Sequence, residues 1–291
     1  MGIVPVLLSY AKDFYGGKNM KIAEYRTFLY EDEKSELTIE KYIRDVKKFA
    51  EFSDGKTLDK QLILEYKAEL ERKYTPRSAN SMIAALNSYL KFIGRAELCV
   101  RQFKIQREIY CSEDKELSKE EYFRLLNEAK RQNNIRLYLI FQTVCGTGIR
   151  ISELKYITVE GVRQGCVTVK CKGKSRTVFI VERLKQQLLR YAKDKGIAAG
   201  PIFVNSNGIP LCRVTVWRSM KSVCDAAGVD SRKVFPHNLR HLFARIFYSI
   251  EKDIVKLADI LGHSNINTTR IYIITTGIEH RRKMENMHLV I

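Results

Sequence analysis

The chain has 291 residues, of which 45% are hydrophobic, so it can bury the core of two domains or of one large domain. Its 51 lysines and arginines against 33 acidic residues give a formal net charge of +18. This excess favours a polyanionic partner such as nucleic acid, because each neutralised phosphate releases condensed counterions. A solubilising surface charge and a membrane-facing basic patch are the alternatives that composition alone leaves open.

No stretch of the sequence indicates secretion or membrane anchorage. The seven cysteines form no C-x-x-C pair, so neither a disulfide framework nor a zinc site is expected. The short apolar run near the N-terminus lacks a basic n-region, a cleavage site and the length of a membrane span. We therefore expect a cytoplasmic protein with no membrane association. Residues 1–19 are interpreted as an N-terminal extension, with Met20 as an alternative start.

The N-terminal third is predicted to be a helical bundle. In "LTIEKYIRDVKKFAEF", apolar residues such as Ile39, Ile43 and Val46 recur at helical spacing. A second helix is predicted over "LILEYKAELERKY", and a third over "TPRSANSMIAALNSYLKFIG", where Thr75 can cap and Pro76 suits the first turn. Residues 20–96 are therefore predicted to be one helical domain. The charged, aperiodic segment 97–115 is predicted to be a linker.

Residues 116–291 are predicted to form a second, mostly helical domain. A capping box of Ser118 and Glu121 begins a helix near 118–130, and further helices are predicted near 135–146 and 151–156. The β-branched runs "YITVEGV", "CVTVK" and "RTVFIV" predict a small antiparallel sheet. The chain after them is mainly helical. The predicted fold class is therefore mainly α, of the α+β type, with two domains.

The first stretch that could carry chemistry is "CGTGIRISEL". Its two glycines end one helix, and Arg150 begins the next with Glu153 three residues later on the same face. Taken alone, this is most simply a surface ion pair. A nucleotide-binding glycine loop is not expected, because the third glycine and the preceding strand are absent.

The second stretch, "VTVKCKGKSRTVFI", is predicted to be a hairpin that displays Lys172, Lys174 and Arg176 at its tip. A P-loop would need glycine at the position of Thr168 and a following helix, so ATP binding is rejected. Solvated turn lysines are the simplest interpretation, and Lys172 is the better candidate for a functional role.

Two further stretches carry histidines. In "FPHNLRHLFARIF", His237 and Arg240 lie three apart on one helical face and could hold an anion, whereas His241 is interpreted as a core histidine. In "LGHSNINTTRIY", a helix ends at glycine, His263 follows it, and Tyr272 lies on a new helix. No carboxylate or cysteine has ligand spacing with these histidines, so no metal is expected.

The ordered set of these residues resembles the tyrosine recombinase (integrase) family, in its two-domain Xer-like form. The blocks "TGIRISEL", "HNLRHLFA" and "LGHSNINTTRIY" are similar to that family's signatures. The resemblance covers most of the chain and implies a core-binding DNA domain followed by a catalytic domain. The catalytic positions that it implies are Arg150, Lys172, His237, Arg240, His263 and Tyr272.

The resemblance implies a reaction without metal, ATP or any other cofactor. Tyr272 would attack a DNA phosphate and form a 3'-phosphotyrosyl link that conserves the bond energy. Arg150 and Arg240 would stabilise the phosphate charge, and Lys172 would protonate the leaving oxygen. His237 would assist proton transfer and His263 would donate a hydrogen bond to the phosphate. Glu153 is expected to orient its neighbours.

The resemblance also implies partners. The expected partner is double-stranded DNA, bound by a homotetramer on two synapsed sites, either alone or with a second recombinase. The expected reaction is site-specific recombination, seen as DNA integration, excision, inversion or resolution. A type IB topoisomerase that relaxes DNA, and a catalytically idle DNA-binding regulator, are the alternative functions.

Overall fold

The computed structural model describes residues 21–54, 56–105, 116–171, 174–263, 265–270 and 285–287. The chain divides into two compact units, Met1–Arg107 and Glu108–Ile291. Each unit has its own buried hydrophobic cluster. Among the described residues, no helix is both long and apolar enough to cross a lipid bilayer.

In its described residues, the first unit is a bundle of four helices followed by a short 3₁₀ turn at Ala96–Leu98. The four helices are α1 (Ile22–Glu31), α2 (Glu36–Phe52), α3 (Lys60–Lys73) and α4 (Pro76–Phe92). The apolar stripe predicted for α2 is confirmed, since Ile39, Ile43 and Val46 are buried. The predicted cap of α4 is also confirmed, because the Thr75 hydroxyl accepts a hydrogen bond from the backbone N–H of Ser78.

Helix α1 was not among the predicted elements. Its N-cap residue, Lys21, makes no side-chain capping hydrogen bond, so the local sequence carries no clear start signal for a helix. Tertiary packing stabilises this uncapped helix, since its Tyr25 and Leu29 side chains are fully buried. The Tyr25 ring packs edge-on against Tyr89 of α4 at a centroid distance of 5.1 Å.

Two asparagines of α4 hold the chain that follows the bundle. The Asn87 amide donates to the carbonyl of Val100 at 2.8 Å, and its side-chain oxygen accepts from the Val100 N–H at 3.0 Å. Asn80 pairs in the same way with Phe103, at 2.8 and 2.7 Å. Each amide imitates one rung of a β-ladder. Asn80 and Asn87 are seven residues apart in a helix, and Val100 and Phe103 are three residues apart in extended chain. Both separations correspond to about 10 Å, so both asparagines can reach their partners at the same time.

The second unit is mostly helical, and the predicted fold class is confirmed. Its helices are α5 (Lys119–Arg131), α6 (Ile135–Thr147), α7 (Val159–Gln164), α8 (Glu182–Asp194), α9 (Arg213–Lys221), α10 (Pro236–Glu251), α11 (Ile254–Leu261) and α12 (Ile266–Arg270). Short 3₁₀ turns lie at Ile151–Tyr156 and Ser231–Lys233. The capping box predicted for α5 is present, with Ser118 and Glu121 bonded reciprocally.

In the described part of this unit, the sheet has two antiparallel strands, β1 (Cys166–Cys171) and β2 (Lys174–Phe179). Cys171 and Lys174 are the last described pair of the ladder toward the hairpin end. Val169 pairs with Arg176, which places Arg176 two rungs inside the ladder. The prediction that Arg176 lies at the hairpin tip was therefore wrong.

The β-branched run "YITVEGV" was also assigned wrongly. Its second half forms α7, because the Thr158 hydroxyl accepts from the Gly161 N–H and so caps a helix. Val159 and Val162, three residues apart, are both buried, as a helical face requires. A Cβ at Gly161 would lie 2.5 Å from a Val167 methyl carbon, so α7 packs closely on β1. Capping and packing thus outweigh strand propensity here.

Hydrogen exchange can test the side-chain hydrogen bonds of Asn80 and Asn87 to the backbone of Phe103 and Val100. Asn80→Ala should speed exchange of the Phe103 amide while the Val100 amide stays protected, and Asn87→Ala should do the reverse, because each asparagine accepts from one of these N–H groups. Each variant is the control for the other. If both amides lose protection together in either variant, the rungs are not independent.

Candidate active site

Arg240 of α10 is the most buried cation of the candidate site, with 2% of its surface exposed. Its Nη1 donates to the carbonyl of Gly148, just past the C-terminus of α6. Its Nη2 donates to the carbonyl of Leu261, the last residue of α11, at 2.6 Å, and to Nε2 of His263 at 3.0 Å. One guanidinium thus satisfies carbonyls at two helix ends, which otherwise lack partners. It also brings His263 to α10.

Two glycines make this approach possible. Gly148 and Gly262 end α6 and α11 in the left-handed region, with φ of +63° and +66°. A Cβ at Gly148 would lie 2.5 Å from a ring carbon of Phe243, and one at Gly262 would lie 2.6 Å from Cδ of Arg176. Both positions therefore require glycine for conformation and for space.

Glu153 joins two further arginines. It is 2% exposed, in the 3₁₀ turn Ile151–Tyr156, and accepts from the backbone N–H of Arg150 at 2.8 Å and from Nη1 of Arg150 at 3.0 Å. Arg176 of β2 meets the same carboxylate as a fork, at 3.1 and 2.8 Å. Nε of Arg176 also donates to the carbonyl of Ile260 at 3.2 Å. The hairpin is thereby tied to the turn and to α11.

The charges at Glu153 do not cancel. Burial alone would raise the pKa of Glu153, but hydrogen bonds from Arg176 and Arg150 and the Arg176 charge outweigh it and hold the pKa below its ordinary value. One carboxylate thus faces two guanidinium groups, and a positive charge remains. The Arg150 side chain is 35% exposed, and its Nη2 lies 3.5 Å from the carbonyl of Gly262. An anion at this face would meet Arg150 directly.

His263 is held at both ring nitrogens. Its Nε2 lies 3.0 Å from Nη2 of Arg240, and its Nδ1 lies 2.8 Å from the hydroxyl of Thr269, a fully buried residue of α12. Burial, followed by the charges of Arg240 and Arg150, lowers the pKa of His263 to about 4. The ring is therefore neutral at pH 7.

His237 and His241 lie on α10 with their rings edge to face, 4.6 Å between centroids. His237 is exposed; shielding by the surrounding protein, followed by the charges of Arg240 and Arg150, lowers its pKa. His241 is half-buried, and burial followed by the His237 charge lowers its pKa to about 3. Neutral imidazole at position 237 can accept a proton.

Five of the predicted site residues lie together in the second unit: Arg150, Glu153, His237, Arg240 and His263. Lys172 and Tyr272 lie outside the described residues. Within the described ranges, no group of three His, Cys, Asp or Glu side chains is placed to hold a metal ion.

Arg176 and Thr269 are members of the cluster that the sequence analysis missed. Strand alternation was the available signal for Arg176, because it shares a strand face with Val178, which is buried. Because the sequence analysis placed Arg176 at the hairpin tip, it did not apply this alternation to Arg176. For Thr269, the local sequence offers two adjacent threonines with no indication of which one faces the site.

Comparisons with known proteins agree with this geometry. Residues 115–276 match the model of the phage integrase family, and residues 22–97 match the phage integrase N-terminal SAM-like domain. The chain belongs to the phage integrase family. The resemblance to Xer-like tyrosine recombinases expected from the sequence is confirmed.

The integrase relatives cover most of the chain. Tyrosine recombinase XerA of Pyrococcus furiosus is 33% identical over 279 residues, which is 92% of this chain and 94% of XerA. The structure of XerH recombinase bound to its difH substrate before cleavage has a TM-score of 0.66 at 20% identity, covering 90% of this chain and 84% of XerH. A lambda integrase dimer (residues 75–356) on a core site gives 0.69 at 17% identity, with 86% and 93% covered. These structures share the fold.

Removing the charge of Glu153 should destabilise the integrase fold. In Glu153→Gln, two arginines face each other without a carboxylate, so we expect a loss of about 3 kcal/mol in the free energy of unfolding, measured by urea denaturation. Glu128→Gln is the matched control, because Glu128 is also buried, at 7% exposed, but its partner Arg131 is 72% exposed. That control should lose about 1 kcal/mol or less. Equal losses would show that Glu153 has no special electrostatic role.

Stability should fall on acidification from pH 7 to pH 5. The unfolded state binds protons at histidine below about pH 6.5, whereas folded His263 stays neutral down to about pH 4. The unfolded state therefore holds more protons in this window, and the free energy of unfolding decreases as the pH falls. His263→Gln should reduce the pH-dependent drop in melting temperature. An unchanged drop would contradict the lowered pKa.

Proposed function

We propose that the chain is a site-specific DNA recombinase that cleaves and rejoins double-stranded DNA through a 3'-phosphotyrosyl intermediate, in DNA integration, excision, inversion or resolution. Membership of the integrase family supports this. So do the names of its relatives: XerA is a tyrosine recombinase, and XerH is a site-specific recombinase whose structure holds its difH substrate.

The observation that carries the proposal is the preformed cluster of cations. Arg240 is fixed by two backbone carbonyls, and Arg150 is fixed by Glu153, before any substrate arrives. Phosphoryl transfer places negative charge on the non-bridging oxygens in the transition state, and fixed guanidinium groups stabilise that charge without reorganising. The net charge of +18 supports DNA as the source of the phosphate.

The proposed reaction gives each residue one role. Tyr272 attacks the scissile phosphate; the bond between Tyr272 oxygen and phosphorus forms as the bond to the 5'-oxygen breaks. His237, with its lowered pKa, accepts the tyrosine proton. Lys172 donates a proton to the leaving 5'-oxygen. Arg150 and Arg240 bind the phosphate oxygens.

The role proposed for His263 follows its contacts. A hydrogen bond from His263 to the phosphate would need a proton on Nε2, yet Nε2 accepts from Arg240 in this arrangement. We therefore assign His263 to orienting Arg240. Glu153 is likewise a positioning residue, since it holds Arg150 by both its backbone and its side chain.

The domain roles are part of the proposal. Residues 20–96 form a DNA-binding domain after an extension at 1–19, residues 97–115 are the linker, and residues 116–291 form the catalytic domain. The active form is a homotetramer on two synapsed sites, alone or with a second recombinase. The lambda integrase neighbour, solved as a dimer on a core site, supports assembly on DNA.

Covalent trapping tests the proposal. A binding site is selected from a random duplex library with the full chain and is nicked at each central position in turn, so that the cut strand cannot rejoin. The wild-type chain should form a covalent adduct that survives denaturation, and Tyr272→Phe should form none. Tyr248→Phe is the control and should form the adduct at the wild-type rate. An adduct with Tyr272→Phe would refute the assigned nucleophile.

Recombination is separated from relaxation by the number of sites. Two selected sites on one plasmid should give resolved or inverted products, whereas a plasmid with a single site should stay supercoiled. Fast relaxation of the single-site plasmid without recombinant products would instead indicate a type IB topoisomerase. Native mass spectrometry should find four protomers on two synapsed duplexes.

A further inference from the structure

Two adjacent threonines of α12 have opposite environments. Thr268 is exposed, whereas Thr269 is fully buried and its hydroxyl lies 2.8 Å from Nδ1 of His263. Thr269 precedes Tyr272 by three residues in the sequence. The buried hydroxyl therefore links the segment that leads to the proposed nucleophile with the proposed phosphate-binding site.

The chemistry of arginine fixes the protons along this link. A guanidinium can only donate hydrogen bonds, so Nε2 of His263 must accept from Nη2 of Arg240. In the neutral ring, the single proton is then on Nδ1, and it is donated to the Thr269 hydroxyl. The lowered pKa of His263 agrees, because a second proton on Nε2 would face the Arg240 cation.

We propose that Thr269 is a positioning residue: its hydroxyl accepts from Nδ1–H of His263, holds the ring against Arg240 and thereby orients Arg240 toward the phosphate. The tautomer of the neutral ring follows from its contact with Arg240. Its effect on DNA cleavage rests on the proposed function. Loss of the hydroxyl would leave Nδ1–H without this acceptor, so the ring would turn away from Arg240 and take up the Nε2–H tautomer, which the Arg240 donor otherwise excludes.

The first test is nitrogen NMR of the full chain labelled with ¹⁵N-histidine, with the His263 signals assigned by their loss in His263→Gln. The wild-type chain and the matched control Thr268→Val should show Nδ1 protonated and Nε2 unprotonated. Thr269→Val, which keeps the shape but removes the hydroxyl, should show a population with Nε2 protonated. Thr269→Ser should restore the wild-type pattern. An Nε2–H ring in the wild-type chain, or an unchanged ring in Thr269→Val, would overturn the inference.

The second test is single-turnover cleavage of the selected nicked duplex. Thr269→Val should cleave at least about tenfold more slowly, with DNA affinity changed by less than about twofold, and Thr268→Val should match the wild-type chain. In a His263→Gln background, Thr269→Val should cause no further slowing, because both act through one link. Additive effects would indicate a merely structural Thr269.

The two tests separate the inference from the proposed function. If the predicted tautomer is found and the wild-type chain cleaves none of the nicked duplexes, the proposed function fails and the tautomer assignment stands. If the wild-type chain cleaves but its His263 ring carries the proton on Nε2, the function stands and the role of Thr269 is refuted.

Discussion

The buried guanidinium of Arg240 is the interaction on which the site depends. Taking a cation out of water costs several kcal/mol, and here the carbonyls of Gly148 and Leu261 offset that cost. These carbonyls lie at the C-terminal ends of two helices, where the last carbonyl groups have no partner within the helix and carry partial negative charge. The contacts of Arg240 with these carbonyls therefore stabilise the fold and also assemble the site. They bring the ends of α6 and α11 onto α10, and with them Arg150 and His263.

The arrangement favours an anion before any anion is bound. Glu153 is shared between Arg150 and Arg176, so its single negative charge cannot neutralise both. Burial of His263, shielding of His237 by the surrounding protein and the charges of Arg240 and Arg150 lower the pKa values of both histidines and keep their rings neutral. Neutral imidazoles can relay protons or accept hydrogen bonds without repelling arginine. In this site the arginines can bind negative charge, whereas the neutral imidazoles can transfer protons or accept hydrogen bonds.

The sequence predicted local features well and contacts between distant residues poorly. The cap at Thr75, the capping box at Ser118 and the glycine end of α11 depend on a few neighbouring residues, so they could be read directly. Arg176 was missed because its position depends on the register in which β1 and β2 pair. The burial of Thr269 rather than Thr268 depends on how α12 packs, and no local pattern contains that information.

Arg240→Lys tests the central claim most directly, because lysine keeps the charge but has no planar fork to reach both carbonyls and His263. Both stability and single-turnover cleavage of the selected nicked duplex are measured. We expect a loss of about 3 kcal/mol in the free energy of unfolding together with cleavage slowed at least about 100-fold. A variant that keeps wild-type stability and rate would show that a positive charge alone suffices and that the guanidinium network is not what builds the site.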